Sequence, residues 1–382
     1  MRDDEEWTPQ TRAAQALGWT DRETGAVVMP LHPATTYLRD ADNLYRRGRQ
    51  YARADNPGFD QPQALLAALE QGAAALIFSS GMAAATSCFL ALRPGDHVVI
   101  PEVMYWSLRA WLKSYAQEWG LVVDSADMRD LDAIRTILRP GHTKLLWIET
   151  PSNPLWQVTD IAAVAELAHG IGAKVAVDST CATPVLTRPL QLGADIVMHS
   201  ATKYLNGHSD VIAGALVARH CDDYWQRICS LRVRLGSVPG PFDAYLLTRG
   251  MRTLFLRVQV ACASAMKIAL AMQENPHVAE VLYPGLAHRP DHALAARQMQ
   301  GGFGGMLSIR VKGGEAAAIR TAAAVKLWKR ATSLGGVESL IEHRGSVEGA
   351  DSPCPQDLLR LSVGIEAAQD LIADLEQALR DA

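Results

Sequence analysis

Five consecutive residues, Ser200-Ala201-Thr202-Lys203-Tyr204, carry the strongest chemical signal in this 382-residue chain. They follow DIVMH (195–199), an apolar run that reads as a strand, so Lys203 stands where a strand ends. An ammonium buried there loses hydration and its pKa falls, which frees the amine for Schiff-base chemistry with a carbonyl. Ser200 and Thr202 add hydroxyl donors of the kind a phosphate group accepts. The same residues also allow a surface lysine at a strand end. Asp178 closes another strand-like run, KVAVD (174–178). A carboxylate there can keep a ring nitrogen protonated, so that the ring accepts an electron pair. It can equally cap a helix, since Ser179 and Thr180 follow. SSGMA (79–83) precedes an Ala-rich helical stretch, so the N–H groups of Gly81 and Met82 either receive a phosphate or form a tight turn. GGFGG (301–305) and GIG (170–172) do not link a strand to a helix as a dinucleotide fingerprint would.

The elements that would position these residues follow a regular alternation. From Ala73 to Ala218, HVVI (97–100), LVV (121–123), KLLWIE (144–149), KVAVD, DIVMH and VIAGALVA (211–218) alternate with helical patterns. That order predicts a mostly parallel sheet with crossover helices, and ligands in such sheets sit beyond the carboxyl ends of the strands. Glu149, Asp178 and His199-Ser200 all fall at such ends. After Arg249 the texture changes: a helix over Phe255–Gln273, VAEVLY, a second helix, FGGMLSIRV, an Ala-rich helix, LLRLSV and a final helix from Glu366 predict an α+β domain. The first fifty residues show little periodicity and read as a surface loop or an arm reaching another subunit. The expected division is an arm at 1–50, a cofactor-binding domain at 51–248 and a carboxyl-terminal domain at 249–382.

Composition bounds the function class. Hydrophobic residues make up 48% and charged residues 20%, with a formal net charge of -4, the balance of a soluble globular protein. Lys and Arg are scattered, so no nucleic-acid partner is expected. The six cysteines form no CxxC pair and no metal-ligand spacing; they read as reduced core thiols, with no metal site. The start, MRDDEEW, is acidic without an apolar region, and no apolar run is expected to approach the ~20 residues of a membrane span. A cytoplasmic location without membrane contact is therefore expected.

Nine motifs in order then carry a resemblance: HPATTY (32–37), YARADNP (51–57), FSSGMAA (78–84), GDHVVIP (95–101), IETPSNP (148–154), VAVDST (175–180), HSATKYLNGHSD (199–210), SLGGVESL (333–340) and LLRLSVGIE (358–366). Over nearly its whole length the chain resembles the trans-sulfuration, or Cys/Met-metabolism, family of pyridoxal-5′-phosphate (PLP) enzymes: cystathionine γ-synthase, cystathionine β- and γ-lyases, methionine γ-lyase and relatives. The resemblance implies an α/β fold of the type I PLP-dependent transferase (aspartate aminotransferase-like) class, with a mostly parallel sheet and a smaller α+β carboxyl-terminal domain. It implies PLP on Lys203, which is also the base, and Asp178 as the partner of the pyridine nitrogen. Gly81, Met82, Ser200 and Thr202 would cradle the phosphate, completed by Tyr51 and Arg53 from a neighbouring subunit of a homotetramer built from two active dimers. Tyr105 would stack on the ring and serve as acid or base for the leaving group. Asn153 would lie near the phenolic oxygen, and Arg360, assisted by Ser333 and Asn153, would clamp the substrate α-carboxylate. A lone Arg in an apolar strand supports that assignment, because a buried guanidinium needs an anionic partner.

The implied reaction is β- or γ-elimination, or γ-replacement, on a sulfur amino acid such as cystathionine. Departures bear on the substrate. Trp106-Ser107 after Tyr105 lacks the cysteine of methionine γ-lyases, Thr332 stands where relatives carry Glu or an aromatic, and Leu334 replaces a tryptophan of some β-lyases. EHRGSVEGADSPCPQD (342–357) lacks the usual MTH motif and brings Arg344 near the expected substrate entrance. That segment motivates a second expectation, an O-activated homoserine or a canavanine-like substrate. A non-catalytic PLP-fold binding or regulatory protein would be expected to have lost catalytic positions or gained a DNA-binding extension, and the chain shows neither.

Overall fold

The computed structural model describes residues 7–348 and 352–380. The acidic run at 1–6 lies outside the described residues, as does part of the 342–357 segment. Seven strands, β1 (Ala74–Phe78), β2 (His97–Pro101), β3 (Val122–Ala126), β4 (Thr143–Glu149), β5 (Lys174–Asp178), β6 (Ile196–His199) and β7 (Gly214–Ala218), form one sheet in the order β1-β7-β6-β5-β4-β2-β3. The pairs from β6 through β3 are parallel, while β7 runs antiparallel to both β1 and β6. Strands β2, β4 and β7 are buried nearly along their whole length, which is why they read as continuous apolar runs instead of alternating ones. Strand β1, AALIF, escapes the sequence reading because Ala-rich segments favour helices; pairing with β7 and burial of Ile77 and Phe78 override that propensity.

A second sheet of five strands, β8 (Val278–Leu282), β9 (Met306–Val311), β10 (Lys329–Arg330), β11 (Leu340–His343) and β12 (Leu358–Ser362), has the order β10-β11-β12-β9-β8. Its core gathers Leu307, Ile309, Ile341, Leu359 and Leu361 with Ala265, Ile268 and Met272 of the helix Leu254–Gln273. That helix is long and apolar enough to cross a membrane by length and composition alone, against the sequence expectation that no run approaches this. Half of it is buried inside the protein, so its apolarity is that of a core helix.

The amino-terminal portion departs from the expected loop in one place: Pro9–Gln15 is a helix, capped by Thr8 and opened by a proline at its first position. Between Gly18 and Pro57 there is no regular element beyond one bridge, Thr36 to Tyr51. Of the cysteines, Cys88, Cys262 and Cys354 are buried but Cys221 is exposed, so the reading of all six as core thiols does not hold for Cys221.

Two contacts set the loop that follows β6. Arg257 sends its guanidinium to the carbonyls of Tyr204 (2.7 Å) and Gly250 (2.7 Å). A Cβ at Gly207 would lie 1.8 Å from the Arg257 Nη1, and Gly207 has φ +75°, so glycine is required on both counts. Lys203 is thereby carried on a loop tied to the helix Leu254–Gln273.

Candidate active site

A cavity of about 300 Å³ opens beyond the carboxyl ends of β4, β5 and β6. Its wall brings together Gly81, Met82, Tyr105, Asn153, Asp178, Ser200, Thr202, Lys203, Ser333 and Arg360, every residue singled out from the sequence except Tyr51 and Arg53. Those two lie outside this cavity; Tyr51 is 51% exposed, and the Arg53 guanidinium rests 5.8 Å from its ring centre.

Lys203 is largely buried, and its Nζ donates to Ser333 Oγ at 2.8 Å. Burial first, then the Arg360 charge, lower its pKa from 10.5 to about 8, so the surface reading of this lysine fails. Ser333 also accepts from Arg360 Nη2 through its carbonyl (2.9 Å), and it holds φ at 93°, a strained conformation of the kind found at functional sites. One residue thus ties the amine to the guanidinium.

Asp178 is buried, and Thr180 donates to its Oδ1 through both backbone and hydroxyl. This is a local turn and not a helix cap, since the next helix, Thr183–Leu186, begins after Ala182. Both bonds fall on one oxygen, which leaves Oδ2 for a group in the cavity. Burial raises the carboxyl pKa, opposed by the two Thr180 bonds. At the other strand junction, Ser80 caps the helix Gly81–Leu90 by accepting from Ala83 N–H (3.0 Å), leaving the Gly81 and Met82 N–H groups without helical partners. A Cβ at Gly81 would stand 2.8 Å from Ser200 Oγ, so glycine alone lets the helix start approach the Lys203 loop this closely. Thr202 differs from expectation: its hydroxyl donates to Ala213 O (3.0 Å) and accepts from Ala213 N–H (2.9 Å), so it gives a proton to another acceptor only after releasing Ala213.

Arg360 is 4% exposed on β12 and finds its anionic partner within the protein. Glu342 lies opposite it on β11, and its Oε2 accepts from Arg360 Nη2 at 2.6 Å and from Arg344 Nη1 at 2.8 Å. Glu348 accepts from Arg344 Nε and Nη2 (3.1 and 2.6 Å). Arg360 Nη1 also reaches Asn153 Oδ1 at 3.3 Å. Burial lowers the Arg360 pKa to about 10, but the group stays a cation at neutral pH.

Residues 10–380 match the Cys/Met metabolism PLP-dependent enzyme family. A cystathionine gamma-synthase of Mycobacterium tuberculosis is 47% identical over 378 residues, covering 97% of this chain and 96% of that protein. The chain belongs to this family. An L-methionine gamma-lyase of Pseudomonas deceptionensis is 43% identical over 373 residues, with 93% of each chain covered. The crystal structure of a cystathionine gamma synthase from Xanthomonas oryzae pv. oryzae in complex with cystathionine superposes with TM-score 0.93 at 40% identity, covering 98% of each chain. The fold is therefore the type I PLP fold, and the protein is a PLP-dependent enzyme of cysteine and methionine metabolism.

The residues present fit this family's cofactor. An aldehyde can meet the Lys203 amine, a pyridine nitrogen the open oxygen of Asp178, and a phosphate the unpartnered N–H groups at Gly81 and Met82 beside Ser200 Oγ. Sequence reasoning missed three contributors. Thr180 orients Asp178, and Glu342 neutralises Arg360 from a facing strand, a pairing no sequence spacing reveals. Glu149 was noticed only as a polar strand end, although it accepts from Tyr105 N–H (2.6 Å) and Asn153 N–H (2.9 Å). Behind the sheet, buried His199 pairs through Nε2 with Glu70 at 2.6 Å. Among the described residues, no three His, Cys, Asp or Glu side chains sit close enough to hold a metal.

Proposed function

We propose that this member of the family works on the γ-carbon, joining a thiol such as cysteine to an O-activated homoserine to form cystathionine, and running γ-elimination of cystathionine as a side reaction. One observation carries the α-carbon chemistry that this reading requires: Ser333 holds the Lys203 amine at 2.8 Å and the Arg360 guanidinium at 2.9 Å. A substrate whose α-carboxylate rests on Arg360 has its α-carbon beside Lys203. The 47% identity to a cystathionine gamma-synthase favours replacement over elimination as the main outcome.

Asp178, Gly81, Met82 and Ser200 would hold the cofactor, with Thr202 added once it releases Ala213. When bound, PLP supplies an electron-accepting ring conjugated to the substrate α-carbon. The Lys203 amine, with its pKa near 8, removes the α proton and then a β proton, as γ chemistry requires. Tyr105, part-exposed at the mouth, gives or takes the proton of the departing γ group. Asn153, held by Arg360 and Glu149, would border the cofactor and the substrate carboxylate. In replacement the carboxylate departs from the γ-carbon and takes up a proton; the thiol sulfur then bonds to that carbon as it gives up its own proton, and the protons removed by Lys203 return to the β- and α-carbons, so that the net products are cystathionine and the carboxylic acid. In elimination water is consumed, and cystathionine yields cysteine, 2-oxobutyrate and ammonia.

Tyr51 and Arg53, exposed and outside the cavity lining, would complete the phosphate site of a second copy, making an active dimer within a homotetramer. Residues 1–50 would be the connecting arm, 51–248 the cofactor-binding domain and 249–382 the domain that brings Arg360. We assign the enzyme to the cytoplasm. The test is product analysis with purified holoenzyme. Cystathionine formed from cysteine and O-succinyl or O-acetyl homoserine supports the reading. Pyruvate with homocysteine from cystathionine would instead mean β-elimination. Turnover confined to sulfur-free substrates would overturn the thiol assignment.

A further inference from the structure

Glu149 ends β4 in register with Asp178 at the end of β5, so two carboxyl groups stand side by side on adjacent strands. Its two oxygens bind different loops: Oε2 accepts the Tyr105 N–H at 2.6 Å and Oε1 the Asn153 N–H at 2.9 Å. No other side chain among the described residues hydrogen-bonds both Tyr105 and Asn153. Glu149 also borders two cavities, the large one with Lys203 and a polar one of about 80 Å³ behind it. Ser152 Oγ lines that rear cavity, is buried and has no hydrogen-bond partner within the protein, which suits a space holding water.

We propose that Glu149 is a positioning residue: protonated, its one carboxyl group pins the Tyr105 turn and the Asn153 loop beside Asp178, and its ionisation sets a second negative charge against Asp178 and switches the reaction down at alkaline pH. The inference rests on the roles proposed above for Asp178 and Tyr105.

The surroundings give the sign. Burial, then Asp178 on the neighbouring strand, push the Glu149 carboxyl up to about 8, with Glu348 adding to the rise. The two N–H donors oppose it. Cys181, on the cavity wall, is held neutral by burial, so it adds no charge. On the rear side Glu102 is a further acid, while Asp127 and Arg129 pair with each other at 2.6 Å. Below about 8 Glu149 is therefore neutral and Asp178 is the acid left to face the ring nitrogen. Above it, two neighbouring carboxylates stand side by side; of the cations on the same wall, Arg360 and Arg344 are already shared with Glu342, and Lys203 bonds Ser333.

The test compares holoenzyme with Glu149→Gln and Glu149→Asp. A glutamine keeps one acceptor but turns an NH₂ toward one of the two N–H donors. It is expected to retain the visible absorption of bound cofactor, to lower kcat by about 10-fold with KM within about 2-fold, and to lose the alkaline fall of kcat centred near 8. Glu149→Asp keeps a titrating group but reaches one loop only, so kcat drops while the alkaline fall survives. The same ionisation is read without turnover by infrared spectroscopy: a protonated-carboxyl band that fades as pH rises through about 8 and is missing from Glu149→Gln. An unchanged kcat, an alkaline fall that persists in Glu149→Gln, or no such band in the parent protein would overturn the proposal. Absence of cofactor absorption in the parent protein would instead refute the functional reading, and the infrared band would still decide the charge state of Glu149.

Discussion

Replacing Lys203 with Met in the cofactor-free chain should make the protein more stable at neutral pH and remove a pH dependence. Lys203 titrates at 10.5 when unperturbed and at about 8 in the fold, mainly because burial penalises its charge. That difference corresponds to about 3 kcal/mol, trimmed to about 2–3 kcal/mol because part of the side chain still meets solvent. The sign follows from proton counting. Between about pH 8 and about pH 10.5 the unfolded chain binds more protons than the folded one, so stability rises with pH; below about 8 the whole cost is present. Met fills a similar volume without the charge but forfeits the bond to Ser333 Oγ, a loss of about 1 kcal/mol. At pH 7 the variant should therefore exceed the parent by about 1–2 kcal/mol, and the advantage should vanish or reverse near pH 10. Glu149 acts in the opposite direction below about 8, but it is common to both chains and cancels in the difference. Urea unfolding at fixed protein concentration, repeated at intervals between about pH 7 and about pH 10, reads the effect directly. Parallel stability curves for the two chains would show that Lys203 carries no burial cost and would refute the argument.

Arg360→Lys replaces a planar fork by a point charge, so kcat/KM should fall by about 100-fold, chiefly through KM, in steady-state assays. Glu342→Gln removes the one charge shared by two buried guanidiniums and should destabilise the chain by about 3–5 kcal/mol in urea melts; a change below about 0.5 kcal/mol would show the network to be idle. Mixing inactive Arg53→Ala and Lys203→Ala chains should restore activity, up to roughly one quarter of the parent for random pairing into dimers, and no recovery would exclude a shared site.

Much of the site was readable before any fold was known, because its central residues lie at strand ends whose apolar runs are local. Lys203 follows DIVMH, Asp178 closes KVAVD, and Gly81 opens a helix after Ser79-Ser80; each announces itself within a few residues. Elements that depend on distant partners were harder. Strand β1 looks like helix-forming Ala-rich chain until β7 pairs with it, and the helix Pro9–Gln15 is too short to show a period.

What the sequence by itself determined is the kind of chemistry and the candidate side chains for it, since residue type and local spacing decide what a group can donate, accept or attack. Tertiary structure decided the charge states and the pairings. Lys203 titrates near 8 because the fold removes its water, Glu342 neutralises Arg360 from a facing strand, and Glu149 meets Asp178 through strand register. These are effects of burial and of neighbours remote in sequence, and Coulomb energies depend on distance through space and on the dielectric around it.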